Sequence, residues 1–313
     1  MAKWKQGIRA IFKYLVLPGV VLVGLLYVAL LYQNNAGGDA LVETREAQLD
    51  LAQSIDSSFE RALEWVYSNE EKIMRDHNPT LWWMLRQVAE ATSDRRLKDM
   101  IWNYGQTNYT LYALSPWAYM IYGSRPSSTA VDLLGSNLVY YNLHLYYGYS
   151  CDAEMAGADI IRRQNETGFC LKHYPFSPAC TTHQLMAFRF MQRTGCDAVE
   201  DLDTKVQVLL SRIRRQLVMD PRLVDVYLQR VLMLVDSDAA DRVNPRWVQR
   251  IMEAQKEDGS WSDNELLLKL SGNRYLAFTA RGIGFSGTHA SFHATVQGLW
   301  LMYLLQEEKY ALR

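Results

Sequence analysis

From Tyr14 to Tyr32 the chain reads YLVLPGVVLVGLLYVALLY, a run with no side chain charged at neutral pH. At about 1.5 Å of rise per residue, about 20 apolar residues cross a hydrocarbon core about 30 Å thick. Beyond this run the pattern changes. Leu41, Gln48, Leu51, Ile55, Phe59, Ala62, Leu63 and Val66 follow three- and four-residue steps and their sums, the stripe of an amphipathic helix. The same period predicts helices at 79–92, 94–105, 128–146, 153–164 and 201–218. Thr181-Thr182 offer an N-cap to HQLMAFRFMQRT, which Gly195 stops. Asp220-Pro221 and Asn244-Pro245 each pair a cap with a first-turn proline, and Gly287-Thr288 precede a last helix over His289–Leu305. Residues 258–287 hold five glycines and little periodicity, and read as a lid or short hairpin. No run alternates well enough to be a strand. The expected fold class is all-α.

The apolar run sets the domain plan. Lys3, Lys5, Arg9 and Lys13 precede it and more acid than base follows, so the positive-inside rule places residues 1–13 in the cytoplasm. Residues 14–32 form the transmembrane helix, 33–40 (QNNAGGDA) a flexible linker, and 41–313 an extracytoplasmic (periplasmic) helical domain. The rival reading, a cleaved secretory signal, has an apolar core that is too long and a poor cleavage site at Asn34-Asn35-Ala36. The segment 110–123 is apolar but short, and Pro116 interrupts it.

Charge excludes one class of partner. Lys and Arg number 33 against 34 Asp and Glu, with no long block of one sign, so nucleic acid has no electrostatic footprint here. The expected partners are the lipid bilayer, through residues 14–32, and an envelope protein or glycan. The four cysteines, Cys151, Cys170, Cys180 and Cys196, form no C-x-x-C pair. An even count in an oxidising compartment favours two disulfides. Three pairings are open, and the short loops favour Cys151–Cys170 with Cys180–Cys196.

The stretch RWVQRIMEAQKEDGSW (246–261) resembles the QW motif of terpene cyclases and other α/α-toroid proteins, a group that includes the protein prenyltransferases. The matching positions are Gln255, Gly259 and Trp261, with Asp258 beside the glycine. Asp-Gly supplies a turn, Gln bonds backbone at the helix end, and Trp packs across the hairpin. The later helices also pair at spacings of about 40–50 residues, as stacked hairpins do. The resemblance implies a toroid of helical hairpins behind the transmembrane helix. It does not imply an activity, because the D-x-D-D cluster of the squalene-type cyclases and the zinc-ligand motifs of the prenyltransferases are missing.

Candidate chemistry centres on histidine. His289 and His293 stand at i and i+4, and on a helix would share one face able to hold a cation such as zinc, with His183 or Asp225 as a third ligand. In a toroid, His183 and His289 would occupy matching first turns around a central funnel. A Tyr–His proton relay is the second option, drawn from Tyr146, Tyr147, His144, His173 and His183. No G-x-S-x-G elbow is present, and RGIGFSGTH (281–289) follows no predicted strand, so it reads as a flexible lead-in to the last helix. Two functions follow as expectations. One is a membrane-anchored binding or scaffolding module. The other is an envelope enzyme acting on a glycan or lipid-linked substrate through His183, His289, His293 and Tyr146.

Overall fold

The structure, a computed structural model, describes residues 17–109, 121, 139–172, 174 and 177–307. Most of the expected helix at 128–146, the segment 110–123 apart from Ile121, the basic flank and His173 lie outside these. The first helix, α1 (Leu17–Asn35), is long and apolar enough to cross a membrane, and its residues up to 29 are exposed. After a 3₁₀ turn come α2 (Arg45–Ser68), α3 (Glu70–Ile73), α4 (Pro79–Thr92) and α5 (Arg95–Thr107). Asn78 caps α4 by accepting from the amides of Thr80 and Leu81, with Pro79 in the first turn, and Asp94 caps α5 by accepting from the Leu97 amide.

The next helices are α6 (Tyr140–Ser150), α7 (Ala153–Ala156), α8 (Asp159–Gln164), α9 (Cys180–Thr194), α10 (Leu202–Met219), α11 (Asp225–Val235) and α12 (Pro245–Glu253). Helices α6 and α9 run parallel. Near their starts the rings of Tyr141 and His183 lie 4.5 Å apart; near their ends Thr194 Oγ1 donates to the Gly148 carbonyl. They cross so closely that a Cβ on Gly148 would lie 2.4 Å from the Ala187 carbonyl oxygen. A disulfide closes each end: Cys151–Cys196 joins the C-termini, and Cys170–Cys180 ties the return segment to the start of α9. This overturns the expected pairing of Cys151 with Cys170 and of Cys180 with Cys196. Parallel packing brings the two helix ends together, and with them residues 45 apart.

Helix α11 runs parallel to α9 as well. Thr182 Oγ1 donates to Gln229 Oε1 at 2.6 Å towards one end, and Arg193 pairs with Asp236 at 2.6 Å at the other. The last helix, α13 (Phe292–Glu307), places its first turn beside that of α11 through His293 and Asp225, and meets α4 through the edge-to-face pair Trp83–Trp300. The starts of α6, α9, α11 and α13 therefore share one side of the molecule. The apolar core lies among these helices, with α2 and α4 completing it.

Three sequence expectations need correction here. Thr181 and Thr182 lie inside α9, which starts at Cys180, and Thr182 spends its hydroxyl on Ala179 and Gln229. Asp220-Pro221 do not open a helix: Asp220 ends α10, pairs with Arg222 and the buried Arg230, and α11 starts at Asp225. The chain is mostly helical but not all-α. Residues 265–286, including much of the presumed flexible lead-in, form an antiparallel meander of β1 (Glu265–Ser271), β2 (Arg274–Thr279) and β3 (Gly282–Ser286).

The turn before the sheet is built from the residues of the QW-like stretch. Gln255 is buried; its Nε2 donates to the carbonyls of Ser58 and Gly259, and its Oε1 accepts from Ser58 Oγ. Gly259 has φ +88°, and a Cβ there would sit 2.1 Å from the Arg61 carbonyl oxygen, so only glycine fits. Asp258 Oδ1 accepts from the amide and hydroxyl of Ser260. Trp261 donates from Nε1 to the Ile251 carbonyl, and its ring packs so close to Gly298 of α13 that a Cβ there would lie 2.5 Å from it.

Residues 33–40 are not a loose linker at their start. Helix α1 continues to Asn35, and its end caps α10. The last carbonyls of a helix have no partner within it; here Leu217 accepts from Asn34 Nδ2 at 2.8 Å, Val218 from Asn35 Nδ2 at 3.0 Å, and Met219 from the Tyr27 hydroxyl at 2.6 Å. Asn34 is fully buried, and its Oδ1 accepts from Tyr227 and Arg250. Asn35 accepts from Trp247 Nε1 on its side chain and from Asn244 Nδ2 on its carbonyl.

Candidate functional site

Asp225 and His293 are the first and second residues of α11 and α13, so the meeting of those two helix starts sets them face to face. His293 Nδ1 lies 3.0 Å from Asp225 Oδ1 and so carries a hydrogen. Burial alone would lower the His293 pKa, but the Asp225 charge and hydrogen bond outweigh it and raise the value. Gln297, one turn further along α13, lies with its amide nitrogen 3.1 Å from His293 Nε2, a contact that suits the neutral ring. Its Oε1 is buried and has no hydrogen-bond partner among the described residues. With the amide turned over, that oxygen would accept from the protonated ring.

His183, on the first turn of α9, behaves in the opposite way. Burial pushes its pKa down to about 4, against the pull of the Ala179 carbonyl and with the nearby His293 adding to the fall. Its Nδ1 is 2.8 Å from that carbonyl, so the N–H sits there and Nε2 is left as a lone-pair acceptor. Tyr141 packs on the ring. Two neighbouring histidines are thus tuned apart, one toward the cation and one toward the neutral base. Separated values of this kind are how an acid and a base are kept distinct in one site.

Asp225 also lines a cavity of about 360 Å³ between α11, α12, the start of β1 and the end of α1. Lys256 and Arg250 bring positive charge to its wall, Asp225, Glu253 and Glu265 bring negative charge, and Gln33 contributes from the end of α1. Both signs of charge therefore line the wall, as a hydroxyl-rich ligand requires.

The remaining candidates fall elsewhere. His289 precedes α13, because Ser291 caps that helix by accepting from the Ala294 amide. The two histidines therefore do not stand on successive turns of one helix face. The His289 side chain is largely exposed, 3.5 Å from Asp263. Among the described residues no three His, Cys, Asp or Glu side chains converge as a metal site. Tyr146 and Tyr147 are buried in the core contributed by α6. His144 is buried, with Nε2 2.9 Å from Asn165 Oδ1 and its ring edge-on to Phe188; burial lowers its pKa to about 4. Tyr141 and Gln297 were not singled out from sequence. The four-residue step from His293 to Gln297 is a signal that could have found the second. No family model matches this chain, and it matches no curated protein and no solved structure.

Proposed function

We propose that this is an envelope enzyme, held by α1 with its N-terminus in the cytoplasm and its main domain outside, that performs acid–base chemistry on a glycan or lipid-linked substrate. In this reading the domain is a toroid-type body. His293, oriented and charged by Asp225, is the proton donor; neutral His183, through Nε2, is the acceptor. The observation that carries the reading is the meeting of helix starts that sets His293 Nδ1 3.0 Å from Asp225 Oδ1 and turns His183 Nδ1 onto the Ala179 carbonyl, which leaves its Nε2 as the acceptor. Helix N-termini favour anions, which suits a phosphate or carboxylate on the ligand. The cavity beside Asp225 is lined by Gln33 at the end of α1, which supports a substrate met close to the membrane anchor. The two disulfides fit an oxidising compartment.

The test is turnover by the full chain in detergent against a panel of envelope glycans and lipid-linked saccharides. One substrate should be consumed by the wild type and lost in His293→Gln and His183→Phe, with Asp225→Asn slowed by about 100-fold or more. Equal turnover in all four proteins overturns the assignment. A ligand that binds without turnover, and equally to all four, would favour the scaffolding function.

A further inference from the structure

The register of the meander gathers its apolar side chains. Leu268 pairs with Leu276, Leu276 with Phe285, and Phe278 with Ile283. Directly paired residues share a face, so these five form an apolar face across three strands, with Glu265, opposite Phe278, at its domain end. That face is open: Ile283 is 67% and Phe285 68% exposed, and Leu268 is exposed as well. The opposite face carries the buried Ala277, with Leu266 and Gly284 at its level. A contiguous exposed apolar surface marks an interaction site.

Its position says what covers it. Both ends of the β1–β2 pairing nearest the domain are tied to the seat of α1. Glu265 accepts from the Leu223 amide and lies 3.4 Å from Arg250, the residue that holds Asn34. The Thr279 carbonyl accepts from Arg222, three residues past Met219, whose carbonyl holds Tyr27. Tyr27 sits within the apolar run, about 12 Å below Asn35 along the helix axis. The domain therefore grips α1 well down its apolar length, and the meander hangs from that grip. A second group of exposed apolar residues, Leu171, Val208 and Met219, flanks the same point. Exposed Arg274, over the Phe285 ring, and Arg281, in the turn between β2 and β3, border the face, where their guanidinium groups can reach phosphate while their stems stay in the apolar layer.

We infer that the Leu268–Leu276–Phe278–Ile283–Phe285 face lies in the outer boundary layer of the bilayer that α1 spans, so that the domain is seated on lipid by a second, monotopic contact. This rests on α1 being in the bilayer. The geometry of such a contact is that of interfacial segments, which bury an apolar face at the headgroup boundary and keep cations at the phosphates.

The experiment uses the full chain in vesicles of phosphatidylethanolamine and phosphatidylglycerol. All cysteines of the described residues are in disulfides, so a single introduced cysteine can carry a nitroxide label, at Phe285→Cys, at Val23→Cys in α1, or at Arg95→Cys on the exposed surface of α5. Collision with oxygen and with a water-soluble nickel chelate reports depth. The Phe285 label should favour oxygen, between the Val23 label and the aqueous Arg95 label. If Val23 is lipid-exposed while Phe285 matches Arg95, the lipid seat is wrong and the anchor stands. If Val23 is also aqueous, the anchor is wrong and the inference falls with it. Spin–spin broadening at Phe285 that disappears on dilution with unlabelled protein would show that a second copy covers the face, and would overturn the inference. A further variant, Phe285→Ser with Ile283→Asn, should keep the fold and shift a Leu268→Cys label toward water.

Discussion

Two clusters of polar side chains sit at helix ends in this protein, and they have been finished differently. At the seat of α1, Asn34 is fully buried and both atoms of its amide are engaged, by Leu217, Tyr227 and Arg250. At the starts of α11 and α13, the His293–Asp225 pair is about a quarter exposed, and Gln297 keeps a buried oxygen without a partner among the described residues. A closed network resists change, because any removal strands a buried group. An incomplete one can exchange protons and partners. The first cluster joins α1 to the domain, and the second is where the proposed chemistry would occur.

The largest expected effect comes from opening the closed cluster. Asn34→Leu strands the Tyr227 hydroxyl and the Leu217 carbonyl and takes one partner from Arg250, which keeps the Pro221 carbonyl and Glu265, and should cost about 3 kcal/mol in urea unfolding of the full chain in detergent. A loss below about 1 kcal/mol would show that the seat is not closed. His144 is next. Its folded pKa of about 4 lies below the unfolded value near 6.5, so its neutral form is favoured in the fold. That contribution is complete above pH 6.5 and disappears as pH falls towards 4, on the order of 3 kcal/mol. His144→Phe should flatten this acid limb of the urea midpoint against pH.

The open cluster should respond less in stability and with the reverse sign. The folded pKa of His293 is raised, so its contribution is present below about 6.5 and is lost as pH rises through the folded value. Asp225→Asn should move the His293 imidazole resonances to titrate at lower pH, with a stability change within about 1 kcal/mol. A shift to higher pH would contradict the assigned pairing. Smallest of all, Gln297→Ala should leave the urea midpoint within about 1 kcal/mol while it alters the His293 titration. A loss as large as that of Asn34→Leu would erase the distinction between the clusters.

Local chemistry was legible in sequence where neighbours carry it. Asn244 caps α12 with Pro245 in its first turn, and the limits 79–92 of α4 match the period of its apolar positions. The sheet was hidden because β1 departs from regular register between Leu266 and Leu268 and again between Lys269 and Ser271, which destroys the alternation a strand would show. His289 was placed on a helix because Ser291, two residues on, is an equally good cap and won. The junction at Asn34 was invisible for another reason. Polar residues beside Gly37 and Gly38 look like a tether, and the carbonyls they serve lie 183 residues away. His293 and Asp225 were both named as ligand candidates, but the Asp225–His293 pair itself depends on helix order that no local pattern encodes.

The bridge between residues 151 and 196 encloses the one between 170 and 180. A chain threaded through a membrane from its amino end presents its thiols one after another. An oxidant acting on each as it emerged would join the first to the second and leave the wrong two behind. Correct cross-linking thus requires that α6 and α9 lie side by side before oxidation becomes irreversible, or that a thiol exchanger repairs the early error. With the domain outside the membrane, as proposed, maturation would be tied to the redox machinery of that compartment as closely as to the packing of α6 on α9.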